Sequence, residues 1–281
     1  MMNILSLGNS ASQVCESLKK YTNYKIFSIR NEGKNSKYNF VIPEYDSPED
    51  YESWDPSGKI KFLDHITDEV TFFVCGASKS SALSLRILEI LHNKGVDISV
   101  VYFQPEIEFL SDFQVKQERV TRGVLQQYAR SGLFKDITMI SLKDIESLVG
   151  EISVFDYFRK ISEVFCDSYH MIQTFKNTKP IMSTFSQIKE SCRIKTIGVS
   201  NLSCENKLFF PFKNEVEVVY YFGVNEEKLK KEGNLFRELI ANIKNKISED
   251  KKIYFGIYPT KYEDDYIYVE HYSPKIQENY S

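Results

Sequence analysis

Residues 72–83 of the 281-residue chain read FFVCGASKSSAL. An apolar run gives way to one glycine, then to three serines and a lysine, then to apolar residues at helical spacing. At the end of a buried strand such residues can hold an anion, because hydroxyls, a lysine and the N–H groups that open a helix converge there. The first apolar run, NILSL at 3–7, ends in a similar way, on Gly8, Asn9 and Ser10. Gly8, Asn9, Ser10, Gly76, Ser78 and Ser80 are therefore candidate anion-binding residues. The same residues also suit ordinary strand-to-helix turns in which Ser or Asn caps the helix. Little else in the chain is arranged for chemistry. His65, His92, His170 and His271 are scattered without metal-ligand spacing, so no metal site is expected. The five cysteines form no CxxC pair, and no G-x-S-x-G nucleophile signature occurs.

The elements that must position these residues alternate. NILSL, YKIFSI, VTFFVC, DISVVYF and DITMIS read as strands, and the helical spacing of ASQVCESLKKY, SALSLRILEILHNKG and FQVKQERVTRGVLQQYARSG separates them. Repeated alternation of this kind demands a doubly wound, mostly parallel sheet. Residues 31–60 carry Pro43, Pro48 and Pro56 and read as a long polar excursion, with Trp54 as a surface-loop anchor. From Gly150 to Asn177 apolar residues recur every three or four positions, and a helix of some 25 residues would span about 37 Å. It reads as a spine joining two halves. Beyond it, RIKTIGVSN, EVEVVYYFGV, KIYFGIYP and YIYVEHYS are strands around the helical LFRELIANIKNKI, which makes an α+β domain with a mixed sheet. The expected division is a nucleotide-binding-type α/β domain at 1–150, a connecting helix at 151–177 and an α+β domain at 178–281.

Bulk properties exclude several classes. With 42% hydrophobic and 27% charged residues the chain is ordinary for a soluble globular protein. A formal charge of −3 gives no reason to expect nucleic acid as a partner. No apolar stretch approaches the roughly 18 residues of a membrane-spanning helix, so no direct membrane insertion is expected. An odd, unpaired set of cysteines points to a reducing compartment, hence the cytoplasm.

Local sequence then narrows the class. ISVFDYFRKISEVF (152–165) is similar, without a gap, to the FtsZ core-helix pattern I-S-L-L-D-A-F-x-x-A-N-D-V-L. TKPIMSTFSQIK (178–189) falls where that family has its catalytic loop. IKTIGVSN sits where its second-domain sheet begins, and VDISVVYFQPE with DITMISLKD resembles a strand–helix–strand run of its first domain. In order and spacing, residues 3–272 resemble the tubulin/FtsZ superfamily, as a divergent, FtsZ-like homologue. The resemblance implies the fold read above: an N-terminal doubly wound, mostly parallel sheet, a long central helix and a C-terminal α+β domain with a mixed sheet.

It also assigns roles. The family's phosphate loop, G-G-G-T-G-[ST]-G, stands here as GASKSSA, with only Gly76 retained, and its G-G-G-G-x-N first loop stands as GNSAS. Asp112 and Lys116 fall near the family's acid and arginine beside the nucleotide. Phe158 matches the aromatic that packs on guanine, and Ser162 and Glu163 replace the Asn-Asp pair that reads the base edge. Phe158 on the core stripe and Glu163 on a solvated face fit these positions as well. At the catalytic-loop position stand Ser183, Thr184, Phe185, Ser186, Gln187 and Lys189, expected at a polymer interface, with no carboxylate between Thr178 and Lys189. Ser and Gln hold a water but cannot take its proton at neutral pH, so no catalytic residue is assigned and GTP turnover is not expected.

The implied function is that of a cytoskeletal, filament-forming homologue with degenerate phosphate and catalytic loops, assembling head to tail with itself and without hydrolysis. No cofactor is fixed by the sequence, and GTP or GDP is the ligand the resemblance allows. Two alternatives stay open: a GTP-binding, GTP-hydrolysing cytomotive filament, and a non-polymerising modulator of another FtsZ or tubulin homologue. Abundant Lys, Asn, Ile and Tyr suggest an AT-rich genome, and homologues resembling this one occur on phages and plasmids.

Overall fold

A computed structural model describes residues 1–150, 152–231 and 233–278. Glu151 and Ser281, the outer ends assigned to the connecting segment and to the last domain, lie outside the described residues. The chain forms two compact units, Met1–Cys166 and Asp167–Ser281.

In the first unit the elements run β1 (Met2–Leu7), α1 (Asn9–Glu16), β2 (Tyr24–Arg30), β3 (Asn39–Val41), α2 (Pro48–Ser53), β4 (Glu69–Cys75), α3 (Ser84–Asn93), β5 (Asp97–Gln104), α4 (Asp112–Ser131), β6 (Asp136–Ser141) and α5 (Leu142–Val149). Helix α6 (Tyr157–Lys176) begins there and ends in the second unit. The strands pair in the order β3-β2-β1-β4-β5-β6, all parallel. That is the doubly wound sheet required by strand–helix alternation. The β4 and β5 strands are buried almost throughout, as continuous apolar runs flanked by helices should be. Helix α4 starts at a capping box between Ser111 and Gln114 and stops at Gly132, whose φ of 87° a residue with a Cβ rarely adopts. Ser111 satisfies N–H groups at one end and Gly132 lets the chain turn at the other.

Two details differ from the sequence reading. The excursion at 31–60 contains β3 and α2, and its Trp54 stacks on Phe40 at 6.2 Å with Lys59 above its ring. Helix α6 opens at Tyr157. Gly150 ends α5 at φ 76°, and a turn closed by Asp156 N–H on Ser153 O precedes α6.

The second unit continues with β7 (Met182–Ser183), β8 (Ile194–Ser200), β9 (Lys207–Leu208), β10 (Glu217–Asn225), α7 (Glu226–Lys231), α8 (Leu235–Lys244), β11 (Lys252–Thr260) and β12 (Tyr266–Ser273). Its sheet is mixed, in the order β8-β12-β10-β11-β7 with β9 on β8, and β10–β11 is the parallel pair. Period-two alternation sends Val218, Tyr220, Phe222 and Val224 to the face covered by Leu235, Leu239 and Ile243 of α8. On the other face Phe175 of α6 packs on Tyr258 and Tyr221, with ring centres 4.5 and 6.3 Å away. Among the described residues no helix is long and apolar enough to cross a membrane.

Candidate functional site

In an open parallel sheet, ligands sit beyond the carboxyl ends of the strands where the strand order reverses, here between β1 and β4. The loops after those two strands are Gly8–Ser10 and Gly76–Ser81, so the candidate anion residues do meet. A Cβ placed on Gly8 would lie 3.4 Å from Ser80 Oγ and 3.9 Å from Ser78 Oγ. The two serine hydroxyls share a hydrogen bond of 3.3 Å. Gly8, at φ 86°, donates its N–H to Ile29 O at 2.8 Å. Gly76 donates to Phe103 O at 3.0 Å, and the Ser81 N–H goes to Ser78 Oγ at 3.1 Å. Ser78 is thus the N-cap of the short 3-10 turn Lys79–Leu83. Asn9 Oδ1 accepts from Asn31 N–H at 3.1 Å, which ties this side chain to the end of β2. Ala77 adopts φ 69°, the left-handed region that a glycine fills without strain.

Behind this turn lies a buried polar cluster that the sequence reading missed. Tyr102 OH donates to Glu118 Oε1 at 3.0 Å, Arg122 Nε reaches the same oxygen at 2.7 Å, and Gln104 Nε2 lies 3.4 Å from it. Tyr102 and Glu118 are fully buried. Burial, with Glu118 beside it, holds the Tyr102 hydroxyl well above the ordinary tyrosine range. The only sequence signal was the i, i+4 spacing of Glu118 and Arg122, which reads by itself as a surface helix pair.

A 450 Å³ cavity opens beside the turn. Ser10 comes to it from α1, Cys75 from the end of β4, Glu106 and Phe109 from the segment after β5, and Phe158 and Ser162 from α6. Three sequence candidates therefore share one pocket: Ser10, Phe158 and Ser162. Phe158 is 57% exposed although it lies on the apolar stripe, whereas Ser162 is buried. Burial pushes the Cys75 thiol up to about 12, which keeps it protonated and unreactive. Burial and then Glu146 raise the Glu106 carboxyl above its ordinary value, because acids outnumber cations there. Tyr157, also lining the cavity, donates to Glu146 Oε2 at 2.9 Å. The remaining candidates stand apart from the lining. Glu163 is ion-paired with Arg159 at 2.8 Å, and Asp112 and Lys116 are exposed on the first turns of α4.

The segment expected at an interface lies in the second unit. Strand β7 holds the sheet edge, with Ser183 opposite Gly256. Thr184 exchanges two bonds with Phe255: its N–H to the carbonyl at 2.9 Å, and its Oγ1 from the N–H at 3.1 Å. Phe185 lies across Gly256, where an added Cβ would come within 2.5 Å of its ring. Ser186 reaches Tyr254, and Gln187 is exposed. The Lys189 N–H donates to Glu217 Oε2 at 2.8 Å while its side chain is exposed. Glu217 is buried, and the next carboxylate, Glu190, is exposed and paired with Arg193 at 2.8 Å.

No protein-family model matches the sequence, and no curated protein matches it. Solved structures do match. An empty FtsZ dimer from M. jannaschii aligns with a TM-score of 0.70 at 11% identity, covering 97% of this chain and 88% of that one. The GTPγS-form TubZ protofilament of Bacillus thuringiensis serovar israelensis aligns at 0.69 and 10% identity, covering 96% and 86%. The GTPγS-bound CetZ2 protofilament of Haloferax volcanii aligns at 0.70 and 10% identity, covering 96% and 92%. The chain has the tubulin/FtsZ-like fold over nearly all of its length.

Proposed function

We propose that this chain of tubulin/FtsZ-like fold is a filament-forming protein that assembles with itself, head to tail, without hydrolysing GTP. Structures of the same fold are described as protofilaments of TubZ and CetZ2. The observation that carries the second half of the proposal is the turn after β4. A phosphate cradle needs backbone N–H groups that are free to close on oxygens. Here the N–H groups of Gly8, Gly76 and Ser81 are all taken by the protein's own acceptors. The Ser78 and Ser80 hydroxyls stand against Gly8, bonded to each other. Three N–H groups of the two loops are thus withdrawn from a phosphate, which supports a degenerate loop, and the neighbouring cavity has Phe158 on its wall.

The acid-free segment supports the same reading. Hydrolysis needs a group that takes a proton from water, and none is offered between Thr178 and Lys189. Glu217, the carboxylate behind this segment, is buried and engaged by the Lys189 N–H and, at 3.4 Å, by Tyr254 OH. A contact between unlike surfaces can repeat without closing, which gives an open filament.

Electron microscopy of the purified protein with and without GTP, together with phosphate release from the same sample, tests this. Filaments in both samples and phosphate at the level of the blank are expected. Filaments seen only with GTP, accompanied by phosphate, would mean that the turn after β4 still works as a phosphate loop. Co-sedimentation with an FtsZ polymer in the absence of self-assembly would instead identify a modulator.

A further inference from the structure

The outer edge of the first unit's sheet is only partly closed. Strand β3 ends the strand order and pairs with Ser28–Arg30 alone, so Tyr24–Phe27 of β2 has no strand on that side among the described residues. Successive residues of a parallel strand turn their N–H and C=O groups to opposite sides. Asn23 and Ile29 face β1, where their carbonyls accept from Met2 N–H at 2.9 Å and Gly8 N–H at 2.8 Å. Ser28 and Arg30 face outward. Ser28 N–H donates to Tyr38 O, and Arg30 O accepts from Ile42 N–H, both at 2.8 Å. Ile26 shares their parity, so its N–H and C=O point out of the sheet at a place that β3 does not reach. An open edge of this kind is a template for another strand.

This edge is basic and aromatic. Between Leu18 and Val41 stand Lys19, Lys20, Lys25, Arg30, Lys34 and Lys37 against one acid, Glu32, in a chain whose formal charge is −3. Glu16 engages Lys19 and Arg30. Lys20, Lys34 and Lys37 are exposed, and Lys25 is half-buried. Lys25 and Lys37 form no ion pair among the described residues. Their ammonium groups stand over rings, Lys25 Nζ 5.0 Å from the centre of Phe27 and Lys37 Nζ 5.3 Å from that of Tyr38. Tyr38, 42% exposed, packs on Phe27 at 5.6 Å. Period-two alternation puts Lys25 and Phe27 on one face of β2 and Tyr24 and Ile26 on the other, where Tyr21 meets Tyr24 at 6.4 Å.

We infer that the Tyr24–Phe27 edge is a docking site for an extended acidic peptide of a partner protein, which adds a strand to β2 in line with β3. Ile26 supplies the backbone donor and acceptor. Acids of the added strand lie beside Lys25 and Lys37, and its apolar residues cover Tyr38 on one face and Tyr24 on the other. A second copy of this chain does not suit the site, because pairing two such edges would bring Lys25 of one copy toward Lys25 of the other. Lysines on an edge deter that kind of pairing. A nucleic acid would use the charge but leave the outward groups of Ile26 without a strand to bond. Backbone bonds hold the peptide, and the lysines select its charge. The site lies on the sheet edge and stands or falls apart from the self-assembly proposed above.

Fluorescence anisotropy on the full chain tests this, with capped, labelled peptides in which glutamate alternates with valine or with tyrosine. These acidic peptides should bind saturably, and the same sequences with lysine in place of glutamate should not. Methylation of the peptide's backbone nitrogens keeps its charge and removes its donors, and should abolish binding. The double variant Lys25→Glu/Lys37→Glu should weaken binding by roughly tenfold, as two reversed exposed charges do, while Lys25→Arg/Lys37→Arg should bind normally. Thermal melts like that of the parent chain verify folding, and if the double variant does not fold, the methylated peptide on the parent chain still decides. Equal binding of methylated and unmethylated peptides would overturn strand addition. So would binding of a single-stranded oligothymidylate that depends on Lys25 and Lys37 in the same way, since the edge would then be a surface for nucleic acid. No binding by either acidic peptide would overturn the docking site and leave the lysines as guards of an open edge.

Discussion

Glu270→Ala is expected to destabilise the second unit by about 3–5 kcal/mol, because it removes one partner from a buried charge cluster. Glu270 is 1% exposed on β12. Its carboxylate is held by Lys176 at 2.8 Å and by the hydroxyls of Tyr221 and Tyr272 at 2.7 and 2.9 Å, with Lys195 at 3.7 Å. Without the carboxylate, Lys195 stays buried with less compensation, and both tyrosines lose an acceptor. Burial works against the charged carboxylate, but the two lysines and Tyr221 overcome it and hold Glu270 at about 2, below its usual 4.5. A depressed carboxylate stabilises the fold above its unfolded value and loses that contribution as pH falls from 4.5 toward 2.

His271, the next residue, adds an earlier window. Burial pushes it down to about 4, and Asn206 Nδ2 lies 3.0 Å from its Nε2. The folded state keeps this ring neutral while the unfolded chain takes up a proton below about 6.5, so stability also falls between pH 6.5 and 4. Urea midpoints measured from pH 7.5 to 3 should therefore decline in two stages, and Glu270→Ala should retain only the first. A midpoint that stays flat down to pH 5, or a cost for Glu270→Ala below 1 kcal/mol, would contradict this account.

The sequence carried the fold because fold depends on periodicity. Strand runs such as VTFFVC and DISVVYF, separated by amphipathic helices, leave a parallel sheet as the arrangement that buries them. The second-unit strands were readable for the same reason, since EVVYYFGV alternates between two covered faces. Strand β3, with three half-buried residues, and β7, with two exposed ones, were not legible. Strands that short exist only through pairing with β2 and β11, a relation distant in sequence.

The site was legible in part. The resemblance of residues 152–165 to the FtsZ core helix put Phe158 and Ser162 at one site, and both line the cavity with Ser10. Spacing could not reveal that Arg159 would claim Glu163, or that Asp112 and Lys116 would face outward, because distances between elements are set by packing. Phe109 was overlooked for another reason: IEF lies in a short 3-10 turn with no period to mark it.

Gly76, the one glycine of the turn that resembles the tubulin/FtsZ phosphate loop, offers the sharpest contrast between that resemblance and the local packing. If it serves phosphate binding, Gly76→Ala should leave stability nearly unchanged. The geometry says otherwise. The positive φ of this turn belongs to Ala77, and Gly76 is not among the positive-φ glycines, so backbone conformation does not require it. What requires it is space. A Cβ at Gly76 would lie 2.9 Å from Tyr102 Cζ and closer still to the hydroxyl, with Glu118 Cγ at 3.2 Å. Tyr102 is fully buried and anchored on Glu118, which also holds Arg122, so the ring cannot withdraw without breaking the cluster. Gly76→Ala should accordingly cost about 3 kcal/mol, the upper end for overpacking a tight interior. Tyr102→Phe deletes the nearest atom, so the double variant should be less damaged than the sum of the two single changes. Urea denaturation of the four proteins measures that coupling directly. Additive losses would remove Tyr102 as the reason for the glycine, whereas coupling of 1 kcal/mol or more would mean that Gly76 persists for the side chain behind it.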